Sequence, residues 1–302
     1  MFWNARFKWG YWRFNRAVRG IHETPPMPVR PGRCTIVSMV GARDTLMYLV
    51  AMKAFYRRLG SAGHLVAIVA RNAPPEQAEL LTRHFPGIEL QVIEEIDVGD
   101  CQRGGCWERL LYILDRTDRG EYVVQIDCDV MPTGEDIGDL LRCVETGTAF
   151  TMADHFKICT AREAAEFART IEDLHIQNQI EKVLDRLPDA GGLRYIRGSA
   201  GLAGFAPRGF TRRAIEAFHR DMEAMIGRDR WRRWGTEQCA SNFAVANTAG
   251  AVSLPFPAYT SFHNGGPREG VKMYHFIGSF RFDEGTLIRL AKREIAVLRG
   301  RA

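Results

Sequence analysis

From residue 34 to residue 130 the chain alternates four short apolar runs with three stretches of helical period. The runs are CTIVSMV (34–40), HLVAIVA (64–70), IELQVIEEI (88–96) and YVVQIDCDV (122–130). Between them lie TLMYLVAMKAFYRRL (45–59), PPEQAELLTRHF (74–85), whose prolines suit a first helical turn, and CWERLLYILDRT (106–117). Strands alternating with helices fold as right-handed βαβ units. The alternation therefore predicts an α/β chain with a mostly parallel, Rossmann-like sheet flanked by helices. Ligands of such sheets sit beyond the carboxyl ends of the strands. After residue 130 the pattern loosens. AFTMADH (149–155) is a further strand candidate, residues 161–187, 210–226 and 234–247 read as helices, and RGSAGLAGFA (197–206) is small and apolar.

The fourth run carries two aspartates. Val123, Val124 and Ile126 lead into Asp127 and Asp129, and Val130 and Met131 follow. Buried carboxylates are costly unless something positive meets them. On a strand, residues two apart share a face, so Asp127 and Asp129 should project together past the sheet with Cys128 turned away. Two carboxylates so placed repel unless a cation joins them. Oxygen ligands with an open coordination sphere suit Mg²⁺ or Mn²⁺, which also bind substrate phosphates. The ordinary alternative is an Asp-rich loop after a strand.

Charge is uneven along the chain. The formal net charge is +5, yet residues 1–33 hold seven Arg/Lys against Glu23, and residues 284–302 hold five against two acids. The central body is thus net acidic, which speaks against nucleic acid as its partner. Three segments follow: a basic aromatic arm (1–33), a main domain (34–285) and a basic C-terminal helix (286–302). At helical spacing Trp3, Phe7, Tyr11, Phe14, Val18 and Ile21 share one face of the arm, with Arg6, Arg13, Arg16 and Arg19 largely opposite. Such a helix either lies on an anionic membrane or packs on its own domain or a second subunit. TPPMPVRPG then breaks the pattern. No apolar run reaches about 18 residues, and no signal-peptide core is present, so a cytoplasmic, at most peripheral, protein is expected. Seven cysteines without a C-x-x-C pair read as reduced thiols; free thiols are also expected at Cys101 and Cys106.

The stretch EYVVQIDCDVMPTGEDIGDLL resembles the D-x-D segment of GT-A-fold glycosyltransferases, in particular glycosyltransferase family 8. SMVGARDTLMYLVAMKAF is similar to that family's first strand and helix, where the nucleotide base binds. WERLLYIL resembles the helix whose arginine approaches the donor, here Arg109. YHFIGSFRF resembles the late H-x-x-G-x-x-K-P-W motif: His275 and Gly278 match, Arg281 stands for the lysine, and Phe282 and Asp283 replace Pro-Trp. The resemblance implies Mn²⁺ or Mg²⁺ held by Asp127, Asp129 and His275, and a nucleotide-diphosphate sugar, UDP-linked. The sugar would pass to a carbohydrate, lipid-linked or protein acceptor hydroxyl with retention. It further implies donor contacts from Ser38, Val40, Gly41, Asp44, Arg109, Asp127, Gly278 and Arg281. An imidazole is a suitable third ligand beside two carboxylates, and a guanidinium is a suitable fork for phosphate.

Other candidates are ambiguous in the sequence. Glu237 and Gln238 resemble the family's residues beside the anomeric carbon, yet Thr236 and Glu237 also suit a helix N-terminus. Asp154 and His155 can hold sugar hydroxyls or form a turn. RGSAGLAGFA lets a sugar approach the backbone or packs a helix. Trp231 and Trp234 stack on a sugar or fill the core. No G-x-G-x-x-G or G-x-x-x-x-G-K-[ST] occurs, so the dehydrogenase and P-loop readings fall away. A sugar-nucleotide nucleotidyltransferase, and a non-catalytic carbohydrate-binding or membrane-assembly protein, remain as alternatives. A homo-oligomer is compatible with the sequence.

Overall fold

The structure, a computed structural model, describes residues 2–263 and 266–300. Trp3, assigned to the apolar face of the arm, and Arg301, in the basic end, lie outside the residues whose side chains it describes. The first element is helix α1 (Phe2–Ala17), followed by a 3-10 turn, Arg19–Glu23. The predicted alternation then appears as β1 (Thr35–Met39), α2 (Thr45–Arg58), β2 (His64–Val69), α3 (Pro75–His84), β3 (Glu89–Val92), α4 (Trp107–Asp118) and β4 (Val123–Ile126). These four strands pair in parallel, with β1 between β2 and β4. Helix α2 is buried over most of its length because both its faces are covered. That explains why its sequence is apolar almost all round.

The second half departs from the parallel pattern. After β5 (Val130–Pro132) come α5 (Gly138–Thr146), β6 (Phe150–Met152), the short β7 (Cys159–Thr160), α6 (Ala161–Arg169) and α7 (Ile176–Glu181). The long helix read over 161–187 is therefore broken. A capping box at Thr160 and Glu163 starts α6, and the chain leaves helix from residue 170 until α7 begins. After β8 (Arg194–Tyr195), the small-residue run forms strand β9 (Ser199–Phe205), which inserts antiparallel between β4 and β6. Helices α8 (Arg212–Ile226), α9 (Arg228–Trp231) and α10 (Thr236–Ala246) follow, then β10 (Val252–Ser253), β11 (Tyr259–Ser261), β12 (Met273–His275) and α11 (Thr286–Leu298). The main sheet has seven strands in the order β10-β6-β9-β4-β1-β2-β3, and a small sheet runs β11-β12-β5.

The N-terminal segment is packed on the body. Tyr11, Phe14, Val18 and Ile21 share one core cluster with β1, α2 and α11. The proline-rich stretch is pinned too: Met27 N–H donates to the His84 carbonyl at 2.9 Å, and Val29 N–H to that of Pro86 at 2.8 Å. The outward face of α1 carries Lys8, Trp9, Trp12, Arg13 and Arg16, all exposed. No described helix is long and apolar enough to cross a membrane. All seven cysteines are free thiols.

Candidate active site

The aspartate pair sits beyond the carboxyl end of β4, but not on the strand. Pairing stops at Ile126, and residues 127–129 turn, with Val130 N–H donating to the Asp127 carbonyl at 3.1 Å. A tight turn, rather than the pleat of a strand, brings the two carboxylates together. Cys128 does face inward, its thiol donating to the Met39 carbonyl at 3.4 Å. Burial pushes that thiol far above its usual range, so it is inert filler.

The turn hands the chain to β5, and β5 pairs antiparallel with β12, setting Val130 opposite His275. Phe276 N–H donates to the Asp129 carbonyl at 2.9 Å. This small sheet delivers the distant histidine. His275 Nε2 lies 3.4 Å from Asp129 Oδ1 and 3.8 Å from Asp127 Oδ2. The three potential ligand atoms all lie within 4.8 Å of one another. Nδ1 faces Ser199 Oγ at 2.8 Å. Donating there leaves Nε2 free to accept, which is the orientation a metal-binding imidazole requires. Two oxygens and one nitrogen, with Asp127 half-open to solvent, fit a divalent ion that keeps water or phosphate ligands.

Strand β9 lies directly behind this cluster. Its Gly201 carbonyl accepts from Asp127 N–H at 2.8 Å. A methyl group on Gly201 would stand 2.4 Å from the imidazole. The close approach allowed by RGSAGLAGFA is thus made by His275. Burial raises the Asp129 carboxyl, but the neighbouring His275 and Arg281 outweigh it and hold it below the usual range. The coupled imidazole is raised, because Asp129 overcomes its burial.

Two arginines complete the answer to what meets the aspartates. Arg281 reaches Asp129 Oδ2 at 2.5 Å and donates from Nε to the Phe276 carbonyl at 3.2 Å. Arg109, on α4 and fully enclosed, donates to Asp127 and lies 3.3 Å from Glu237. Burial opposes the Arg109 charge, yet Asp127 and Glu237 keep it protonated. Glu237 is also buried, and burial pushes its carboxyl up to about 7 against the pull of Arg109. Thr236 does not cap α10; Gly235 takes that position, and the Thr236 hydroxyl accepts from Gln102 and from the Trp107 indole.

Asp127, Asp129, His275, Arg109, Glu237, Gln238, Gly278 and Arg281 line one cavity of about 190 Å³. Other predicted residues stand elsewhere. The Ser38 hydroxyl donates to the Ile126 carbonyl at 2.7 Å and braces β1 against β4, wholly buried, rather than facing the cleft. Val40 is tied by its backbone to Ile68 and Gln77. Gly41 and Asp44 hold the turn after β1. Asp154 lies outside the cavity, its Oδ1 accepting from the Thr260 hydroxyl and Ser261 N–H, each at 2.8 Å. His155 packs on Phe156. Trp231 is core, its indole donating to His219 at 2.6 Å, whereas Trp234 is 75% exposed at the cavity mouth. Ser199 and Tyr11 were not singled out from the sequence. Ser199 had no pattern of its own, and Tyr11 read only as part of an apolar face.

No protein-family model matches the chain, and no curated protein matches it. Among solved structures, the apo form of the bifunctional glycosyltransferase WbbM aligns with a TM-score of 0.53 at 13% identity, over 89% of this chain and 51% of that one. The chain thus spans about half the length of that structure, and the likeness is one of fold. Mouse xyloside xylosyltransferase 1 in its apo form aligns at 0.45 and 10% identity, over 83% and 99% of the two chains. Core-mannan synthase A from Aspergillus fumigatus, in its Mn/GDP form, aligns at 0.44 and 12%, over 88% and 84%. The α/β architecture, a GT-A-type sheet flanked by helices, is shared with the first of these.

Proposed function

We propose that this chain is a metal-dependent glycosyltransferase that moves a sugar from a nucleotide-diphosphate sugar, UDP-linked, to an acceptor hydroxyl with retention. One observation carries the reading: two carboxylates and an imidazole 146 residues further along the chain converge within 4.8 Å beyond the carboxyl end of the sheet. Asp127, Asp129 and His275 would hold Mn²⁺ or Mg²⁺. When bound, such an ion neutralises the charge of a diphosphate leaving group. Ser199 fixes the imidazole, and Arg281 stands ready with a permanent charge for phosphate oxygens. Glu237 and Gln238 line the same cavity, where a sugar would sit, and Trp234 offers an exposed ring there. Glycosyltransferase family 8 is the family this set supports. The nucleotidyltransferase alternative needs a free basic loop after β1; Arg43, the one basic residue there, lies over the Tyr11 ring at 4.3 Å.

A screen of nucleotide sugars by thermal shift and donor hydrolysis, with and without Mn²⁺, tests the reading. The expected outcome is a metal-dependent rise in melting temperature with one UDP-sugar. No shift with any nucleotide sugar would overturn it.

The same reading seats the protein peripherally on an anionic membrane. On α1 the exposed Trp9, Trp12, Arg13 and Arg16 follow helical spacing, and Trp9 and Trp12 are each 56% exposed. Arg13 stacks on Trp9 and Arg16 on Trp12, and neither arginine meets a carboxylate among the described residues. Basic residues near an anionic surface contribute about 1 kcal/mol each. Replacing Arg13 and Arg16 together by alanine should therefore lower partitioning onto phosphatidylserine vesicles by about tenfold or more in a sedimentation assay, with little change on neutral vesicles.

A further inference from the structure

We propose that Tyr11, on the N-terminal helix, is a positioning residue of the donor site, so that α1 belongs to the working unit. This role rests on the donor-site reading above. The inward face of α1 lies flush on the segment that follows β12. A methyl group on Gly10 would stand 2.3 Å from the Phe282 ring. The Tyr11 ring meets Phe282 edge-on at 4.9 Å and Phe7 at 5.1 Å between centroids. This packing delivers a single buried hydroxyl to the junction between the turn after β1 and the cavity-lining segment after β12. It donates to Asp44 Oδ1 at 2.6 Å, in the turn after β1, and it accepts from Arg281 Nη1.

Arg281 therefore has three anchors: the Asp129 carboxylate, the Phe276 carbonyl and the Tyr11 hydroxyl. A divalent ion on Asp129 competes with the first of these. The guanidinium then depends on the other two to stay in the cleft with Nη2 turned toward phosphate. A guanidinium held at two points loses little freedom when it meets a diphosphate, whereas one held at a single point must be ordered by the ligand. Asp44, fixed by the same hydroxyl, keeps the turn after β1 in register with Arg281.

Tyr11→Phe removes the hydroxyl and keeps the ring packing. With UDP and GDP as probes in the presence of Mn²⁺, titration calorimetry should show affinity about 10- to 100-fold weaker, the fold-change of one hydrogen bond to a charged group. Mn²⁺ binding without nucleotide should be unchanged. In an Arg281→Ala background the same substitution should have no further effect on nucleotide affinity, because its target is gone. An equal loss in both backgrounds, or a fall in melting temperature with nucleotide affinity intact, would show a purely structural tyrosine and overturn the role. Metal-dependent nucleotide binding by the unaltered chain that Tyr11→Phe leaves untouched overturns Tyr11 alone. No such binding by the unaltered chain overturns the donor-site reading and this role with it.

Discussion

Replacing Asp129 by asparagine is expected to abolish Mn²⁺-dependent nucleotide binding. Loss of a group that merely orients a metal ligand typically weakens binding 10- to 100-fold, so loss of a buried ligand itself should weaken it at least about 100-fold. Asparagine keeps the volume, so packing around β5 and β12 should survive. Asp129→Ala should do more. Asparagine still offers Arg281 and His275 an amide oxygen, whereas alanine leaves both without any acceptor, and stranding a buried charge in this way destabilises by about 3–5 kcal/mol. Calorimetric titration with Mn²⁺ and UDP, read beside melting curves, separates the two effects. An asparagine variant that still binds nucleotide in a metal-dependent way would refute the assignment of Asp129 as a ligand.

The second large effect concerns Glu237. Burial raises its carboxyl from the unfolded value of 4.5 to about 7, with Arg109 opposing and Asp127 reinforcing the rise. Between those two values the metal-free folded protein binds a proton that the unfolded chain has lost. Stability from this group is therefore complete below about pH 4.5, falls as pH rises, and levels off above about pH 7. The span corresponds to a loss on the order of 3 kcal/mol. Glu237→Gln cannot ionise and should lack it. The melting temperature of the variant minus that of the parent should grow more positive between pH 5 and pH 8; a constant difference would contradict the raised carboxyl. If the ionised form takes part in the reaction, turnover by the parent rises through about pH 7, and the variant loses roughly 10²- to 10⁴-fold with a flat profile.

What could be read from the sequence follows from how far apart the determining residues lie. Strands β1 to β4 and the helices between them announce themselves locally, as short apolar runs alternating with stretches of helical period. The D-x-D stood out because charge interrupts an apolar run. Strand β9 did not, since glycine and alanine give little strand signal and the reason for them, the imidazole pressed on Gly201, is far away in sequence. Strands β5, β11 and β12 are three residues each, too short to show alternation. For Glu237, the helix-terminus reading and the site reading were equally good locally. Only the crossing of α10 and α4 turns its side chain onto Arg109. The arm shows the same limit: spacing identified its apolar face, but not that Tyr11 on that face meets Arg281.

The pairing of β5 with β12 also bears on how the protein is made. Thr133 and Val271, which close this clasp by a hydrogen bond, stand 138 residues apart in the chain. Local βα units can form while the chain is still emerging from the ribosome, but a contact of this span waits until β12 has been made. Until β12 arrives, Asp127 and Asp129 lack the imidazole and the guanidinium of Arg281. The half-made protein therefore carries the acidic turn with Arg109 but without the imidazole. The set proposed to hold a metal ion is thus complete only after residue 275 has been made.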